Sequence, residues 1–235
     1  MKRIGMLYPS SGISEREVER MLPEEISLHV TRIPMSEPTY DALSHMADSV
    51  EDASKLLADA QVDIIAFNCT MGSLIGGKGY DHKIIERITK TTGLPATTTT
   101  TAALAGLRSL GVKGFILVSP YTELLHKKEK SFLESEGFQV INDRWLAMSD
   151  CFQQYNTEPL FWHKTVNVMQ EPQSDGYFIS CGGIRVVEII QKLETELGKP
   201  VITSNQALIW HCFQIIGFHE PIEGFGRLLK TPLVC

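Results

Sequence analysis

Short runs of consecutive apolar residues alternate along the chain with longer segments whose apolar positions recur at helical spacing. That alternation is expected of an α/β protein with parallel strands. Ile4–Tyr8, Ser27–Ile33, Asp63–Phe67 and Leu94–Thr97 read as strands, separated by helical segments over Glu15–Leu22, Asp41–Ala58 and Asp81–Thr92. In the second of these helices Leu43, Met46, Val50, Ala53, Leu56 and Leu57 form the apolar stripe. The same order then recurs. Strands are predicted at Phe115–Val118, Phe138–Ile141, Gly176–Ile179 and Val201–Thr203, with helices at Thr122–Glu136, Pro159–Gln170 and Arg185–Leu197 between them. A last helix, Gln206–Ile216, is expected to return to the first half.

Three landmarks make this a repeat rather than a rhythm. Pro9 matches Pro120 at an offset of 111, Asp63-x5-Cys69 matches Asp175-x5-Cys181 at 112, and Gly93-x-Pro95 matches Gly198-x-Pro200 at 105. The fold expected is two similar parallel-sheet, flavodoxin-like α/β lobes related by pseudo-twofold symmetry, with the active site in the cleft between them. Residues 1–98 plus 205–235 would form the first lobe and 99–204 the second.

Charge and composition narrow the function. The 235 residues carry 22 Lys+Arg against 28 Asp+Glu, a net −6, with no basic stripe for phosphate, which argues against nucleic acid. No apolar stretch approaches the ~20 residues of a membrane span, and the N-terminal apolar run breaks at Pro9, so the expectation is a cytoplasmic protein with no membrane partner.

The five cysteines, Cys69, Cys151, Cys181, Cys212 and Cys235, are odd in number and widely spaced, without a C-x-x-C, and are expected to be free thiols. Cys69 and Cys181 stand apart, each one step past the third strand of its half. In parallel sheets ligands sit at that carboxyl end, so the two thiols would face one cleft from opposite sides. Cys151, Cys212 and Cys235 lack that context and read as ordinary small residues. Gly72-x4-Gly77-Lys78-Gly79 misses the Ser or Thr that a Walker loop needs after its lysine. Thr97 to Thr101 read as a strand end and helix N-cap, some of whose hydroxyls could face the cleft. Ser10, Ser11 and Tyr121 are polar donors at the rim where the cysteines lie. The seven histidines include no H-E-x-x-H, and no metal is expected.

On these residues the chain resembles the aspartate/glutamate racemase superfamily, and within it the branch of maleate cis-trans isomerases and arylmalonate decarboxylases. The resemblance runs nearly end to end, strongest at Thr98–Val112, Ser174–Gly183 and Gly224–Leu229. It implies chemistry beside a carboxylate without any cofactor. By the resemblance the substrate is a small carboxylate held by Thr70, Met71, Tyr121 and the Cys181, Gly182 and Gly183 turn, with Tyr40 lining the cleft; Cys69 would be nucleophile and Cys181 general acid. Racemases and maleate isomerases carry both cysteines, whereas the decarboxylases match only Cys181. Either route is expected to need a thiol pKa below ~8.5. One departure stands out: maleate isomerases read Pro-Ser-Ser-Asn where this chain has Pro9-Ser10-Ser11-Gly12. The expected activity is a cofactor-independent isomerase, cis-trans or racemising. A decarboxylase using Cys181 alone and a non-catalytic carboxylate-binding protein are the alternatives, and assembly into a homo-oligomer is left open.

Overall fold

The computed structural model of the chain describes residues 1–232; Cys235 lies outside them. The first half runs β1 (Lys2–Pro9), α1 (Glu15–Glu19), β2 (Ile26–Ile33), α2 (Tyr40–His45), α3 (Val50–Asp59), β3 (Ile64–Phe67), α4 (Thr70–Leu74), α5 (Tyr80–Thr92), β4 (Ala96–Thr98) and α6 (Thr99–Ser109). The second runs β5 (Gly114–Ser119), α7 (Glu123–Ser135), β6 (Gln139–Trp145), α8 (Cys151–Asn156), α9 (Pro159–Asn167), β7 (Gly176–Ile179), α10 (Ile190–Leu197), β8 (Val201–Thr203) and α11 (Ser204–Ile216).

The two halves fold alike. Each forms a four-stranded sheet, β2-β1-β3-β4 and β6-β5-β7-β8, in which every pair is parallel. The central strands are buried on both faces, as helix-covered parallel strands must be, which explains their continuous apolar runs. The repeated aspartates have a structural cause. Asp63 Oδ2 accepts the Arg3 amide at 2.7 Å, and Asp175 Oδ2 accepts the amides of Lys113 and Gly114 at 3.0 and 2.8 Å. Each carboxylate thus pins the start of its lobe's central strand to the start of the strand that ends in a cysteine turn.

The predicted helix over Asp41–Ala58 is broken by a 3-10 turn at Met46–Ser49 into α2 and α3. Thr98 caps α6 by accepting the Thr101 amide, while Thr203 and Gln206 form a capping box on α11. These two helices occupy matching places after the fourth strands and pack on each other; α11 also touches β3, β4 and β8. The returning helix therefore carries its N-terminus to the seam between the sheets. Among the described residues no helix is long and apolar enough to cross a membrane.

Candidate active site

Both thiols sit where their strands run out. Cys69 follows β3 by two residues in extended conformation, φ −155°, and is the N-cap of α4; its Sγ accepts the Gly72 amide at 3.3 Å. Cys181 follows β7 by two residues but turns the opposite way, at φ +122°, a conformation that strains any residue with a Cβ. Its Sγ accepts the Gly183 amide at 3.2 Å and donates to Gln154 Oε1 at 3.5 Å. Gly182 is needed here, because a Cβ at this position would lie 2.6 Å from Asn68 Oδ1.

Ser204, the first residue of α11, joins the two turns. Its buried Oγ accepts the Cys181 amide at 2.9 Å and the Thr70 hydroxyl at 2.9 Å. Asn205 beside it donates to the Gly182 carbonyl at 3.0 Å and accepts from Asn68 at 3.1 Å, and Ser14 donates to the same carbonyl at 2.5 Å. Three of these links, Thr70 to Ser204, Asn68 to Asn205 and Ser14 to Gly182, cross between the halves. A fully buried network of this kind fixes its members, because breaking one bond strands another polar group.

The thiols open on a single cleft. Thr70, Met71, Tyr121, Gly182 and Gly183 line it with them, as do Tyr8, Asn68, Cys151 and Gln154. The Tyr121 hydroxyl lies against Ser180 and the Cys181 thiol. Thr70 and Met71 open α4, so their amides have no carbonyl within the helix to serve and are available to an anion.

Several expectations are corrected by this arrangement. Ser10 does not reach the cleft, since its hydroxyl is held by the backbone of Met35. Ser11 turns its hydroxyl to the Cys151 thiol at 3.4 Å instead. Tyr40, the first residue of α2, is exposed, with Lys128 Nζ 5.4 Å above its ring; Leu43 and Pro38 fill the place expected for it. The Thr70 hydroxyl and Cys181 amide are both taken by Ser204. The threonine run keeps its hydroxyls inside: Thr99 bonds to Phe67 O at 3.2 Å and Thr100 to Ser73 at 2.6 Å. Cys151, read as an ordinary residue, is in the cleft wall; α8 brings it there from a stretch without apolar periodicity.

The electrostatics also run against expectation. Enclosure pushes the Cys69 thiol up to about 12, outweighing the Gly72 amide that favours the thiolate. Cys181 is raised by the same cause against the Gly183 amide, and the Tyr121 phenol is raised by burial and the neighbouring thiols. Both cysteines are therefore protonated at rest. Behind Cys181, Glu129 on α7 is buried completely and accepts the Ser180 hydroxyl at 2.5 Å. Burial lifts this carboxyl to about 8, so it is neutral at pH 7. A Ser119–His126–Asp143 row, with contacts of 2.7 and 3.4 Å, lies apart from the cleft; Ser119 and His126 have no exposed surface through which to meet a substrate. Among the described residues no three His, Cys, Asp or Glu side chains are grouped to hold a metal ion.

Known proteins share this architecture along their whole length. A maleate isomerase of Geobacillus stearothermophilus is 26% identical, the match covering 97% of each chain. The arylmalonate decarboxylase of Bordetella bronchiseptica is 27% identical over 96% of this chain and 95% of its own. A crystal structure of a Pseudomonas putida maleate isomerase variant with maleate superimposes with a TM-score of 0.94 at 26% identity, covering 97% of both chains. With the sequence profile named arylmalonate decarboxylase matching residues 4–229, the chain belongs to that family.

Proposed function

We propose that this protein is a cofactor-independent isomerase of a small carboxylate, working through Cys69 and Cys181. The observation that carries this reading is the pair of thiols at equivalent positions of two matching lobes, both opening on one cleft. The amides of Thr70, Met71 and Gly182 and the Tyr121 hydroxyl are set to receive the carboxylate. As a proton leaves the adjacent carbon, or a thiolate adds one bond away, charge builds on those oxygens, and preorganised donors lower the barrier.

Two thiols permit two isomerisations. In racemisation one thiolate takes the α-proton, leaving an enediolate, and the other thiol returns a proton to the opposite face. In cis-trans conversion a thiolate adds to the double bond while a proton goes to the neighbouring carbon. The resulting single bond rotates, and loss of that proton and of the thiolate restores the alkene. The maleate isomerases among the relatives support the second route. Decarboxylation is the second reading, favoured by the Bordetella relative and requiring only Cys181 as proton donor once CO₂ has left.

Proton NMR of small carboxylates in D₂O separates these reactions, reading α-exchange, cis-trans conversion and CO₂ loss together. Cys69→Ala is expected to abolish isomerisation; undiminished turnover would remove the two-thiol mechanism and leave the decarboxylase.

A further inference from the structure

Glu129 has no part in the chemistry described so far, and packing alone does not account for it. It sits on α7 without exposed surface. Its Oε1 accepts the Ser180 hydroxyl at 2.5 Å, and its Oε2 has no hydrogen-bond partner among the described residues. Nor does a cation stand against it. Of the lysines on α7, Lys127 pairs with Glu123 at 2.7 Å, Lys128 lies over the Tyr40 ring and Lys130 pairs with Asp143. β6 packs on α7 and brings Asp143, taken by Lys130 and His126, together with an exposed Arg144. α4 also packs there and brings no titratable side chain beyond the Cys69 at its cap. A glutamine would hold Ser180 equally well and could never bury a charge. What the carboxyl adds is a proton.

Ser180 leads from that carboxyl to the cleft. It precedes Cys181 in the turn after β7, and the Tyr121 hydroxyl lies against both Ser180 and the Cys181 thiol. All four side chains are buried. A hydroxyl accepts as well as donates, so the row Glu129–Ser180–Tyr121–Cys181 can pass a proton along its length. When Cys181 gives its proton to carbon, its sulfur is left as thiolate. The Tyr121 proton then moves to Sγ, the Ser180 proton replaces it on the phenol oxygen, and the carboxyl proton replaces that of Ser180. Three O–H bonds break, two O–H bonds and one S–H bond form, and the negative charge ends on Glu129. The transfer runs downhill. Burial brings the carboxyl to about 8, whereas the thiol starts from 9.0 before burial raises it.

We propose that Glu129 is a positioning residue for Cys181, holding in reserve the proton that returns this sulfur to its thiol form through Ser180 and Tyr121. This rests on Cys181 as the proton donor of the proposed reaction and deepens that reading: the donor is recharged from behind, inside the protein, rather than by water crossing an occupied cleft.

Alkylation of the intact protein by iodoacetamide reads this link without any substrate. Initial rates at Cys181 and Cys69 are followed separately by peptide mass spectrometry, at low conversion, between pH 6 and pH 10. The thiolate is the reacting form, so an isolated thiol reacts about tenfold faster per pH unit until it titrates. In the wild type, Cys181 should follow that line only to about pH 8. Beyond it the loss of the Glu129 proton holds the next one on sulfur, and by pH 9.5 the rate should lie about fivefold or more below the line. Glu129→Gln and Tyr121→Phe should each restore the straight line, the first by removing the reserve and the second by cutting the row. Cys69 should stay straight in all three proteins. Superimposable Cys181 profiles in the wild type and Glu129→Gln would overturn the proposal and leave Glu129 a packing residue. A break kept in full by Tyr121→Phe would overturn it too, by showing a field acting through space. So would an equal break at Cys69, which would report a change of the whole cleft. These outcomes leave the isomerase reading standing; that reading falls instead if the NMR assay shows no conversion of any carboxylate, and the alkylation profiles would not move with it.

Discussion

Glu129→Gln should make the protein more stable at neutral and alkaline pH and leave it nearly unchanged in acid. The carboxyl has no exposed surface, one oxygen takes the Ser180 hydroxyl, and Oε2 has no hydrogen-bond partner among the described residues. Its pKa rises on folding from 4.5 to about 8 through burial. Below pH 4.5 both folded and unfolded chains hold the proton and nothing is lost. Between 4.5 and 8 only the folded chain holds it, so stability declines as pH rises, by ~1.36 kcal/mol per pH unit. The gap of about 3.5 pH units comes to roughly 5 kcal/mol above pH 8, and roughly 3 kcal/mol at pH 7. Glutamine keeps the acceptor for Ser180 and places an equally unpartnered NH₂ where Oε2 stood, but never ionises. In urea unfolding at pH 5, 6, 7 and 8, the variant's advantage over wild type should therefore grow by roughly 4 kcal/mol across the series. That growth is a large share of the 5–15 kcal/mol typical of a whole domain, and at pH 8 corresponds to a melting temperature higher by on the order of 10 °C. A difference independent of pH would refute the reasoning, since it would mean that Glu129 ionises in the fold at its ordinary pKa.

Three further outcomes follow from the same geometry. Ser204→Ala strands the Cys181 amide and the Thr70 hydroxyl in a buried place, costing about 2–4 kcal/mol in urea unfolding and lowering kcat more than it raises KM, while Ser204→Thr keeps the acceptor and most of both. Wild-type stability and kcat in the alanine variant would show that the thiol turns hold without it. Alkylation of Cys69 by iodoacetamide should climb about tenfold per pH unit from pH 7 to 10, because the thiolate is the reacting form and burial holds the thiol near 12; a plateau by pH 8.5 would place the pKa in the ordinary thiol range. Cys151→Ala should keep turnover within about twofold, since among the described residues the hydrogen bond of that thiol is with the Ser11 hydroxyl, at 3.4 Å, and not with either catalytic sulfur. A loss beyond about tenfold, read in the NMR assay, would make it a third participant.

The repeat was legible because its markers are forced by the fold. Asp63 and Asp175 recur since each ties down a central strand, and Cys69 and Cys181 recur because each ends a strand at the same depth. Short helices left less trace. All five residues of α4, TMGSL, are buried, so no polar face alternates with an apolar one. α8 arises in a stretch of mixed polarity, and with it Cys151 and Gln154 enter the cleft unannounced. Tyr40 misled by adjacency: Pro38 lines the cleft, but Thr39 caps α2 and the helix turns Leu43 inward, leaving its first residue outside. Thiol acidity was beyond spacing altogether, because it depends on how completely the two lobes enclose the cysteines.

Matching position does not mean matching chemistry, and the difference between the two turns bears on which thiol does what. Each sulfur accepts one amide, from Gly72 or Gly183, but Cys69 alone of the two caps a helix, whose N-terminal partial positive charge favours sulfur as an anion. Cys181 is followed by Gly182 and Gly183 rather than by a helix, and its positive φ is a strain on the order of 1–3 kcal/mol. That conformation persists because Ser204 holds the amide before the turn while Ser14 and Asn205 hold the Gly182 carbonyl within it. The strain is thus spent on aim: it swings Sγ toward the cleft, against Gln154 Oε1, an acceptor that keeps the proton on sulfur. The proposed division of labour follows from these surroundings, with Cys69 as the thiolate that attacks or abstracts and Cys181 as the thiol that delivers. A symmetric pair would protonate either face alike; unequal turns give the pair a resting direction, one sulfur placed to lose its proton first and the other to keep it.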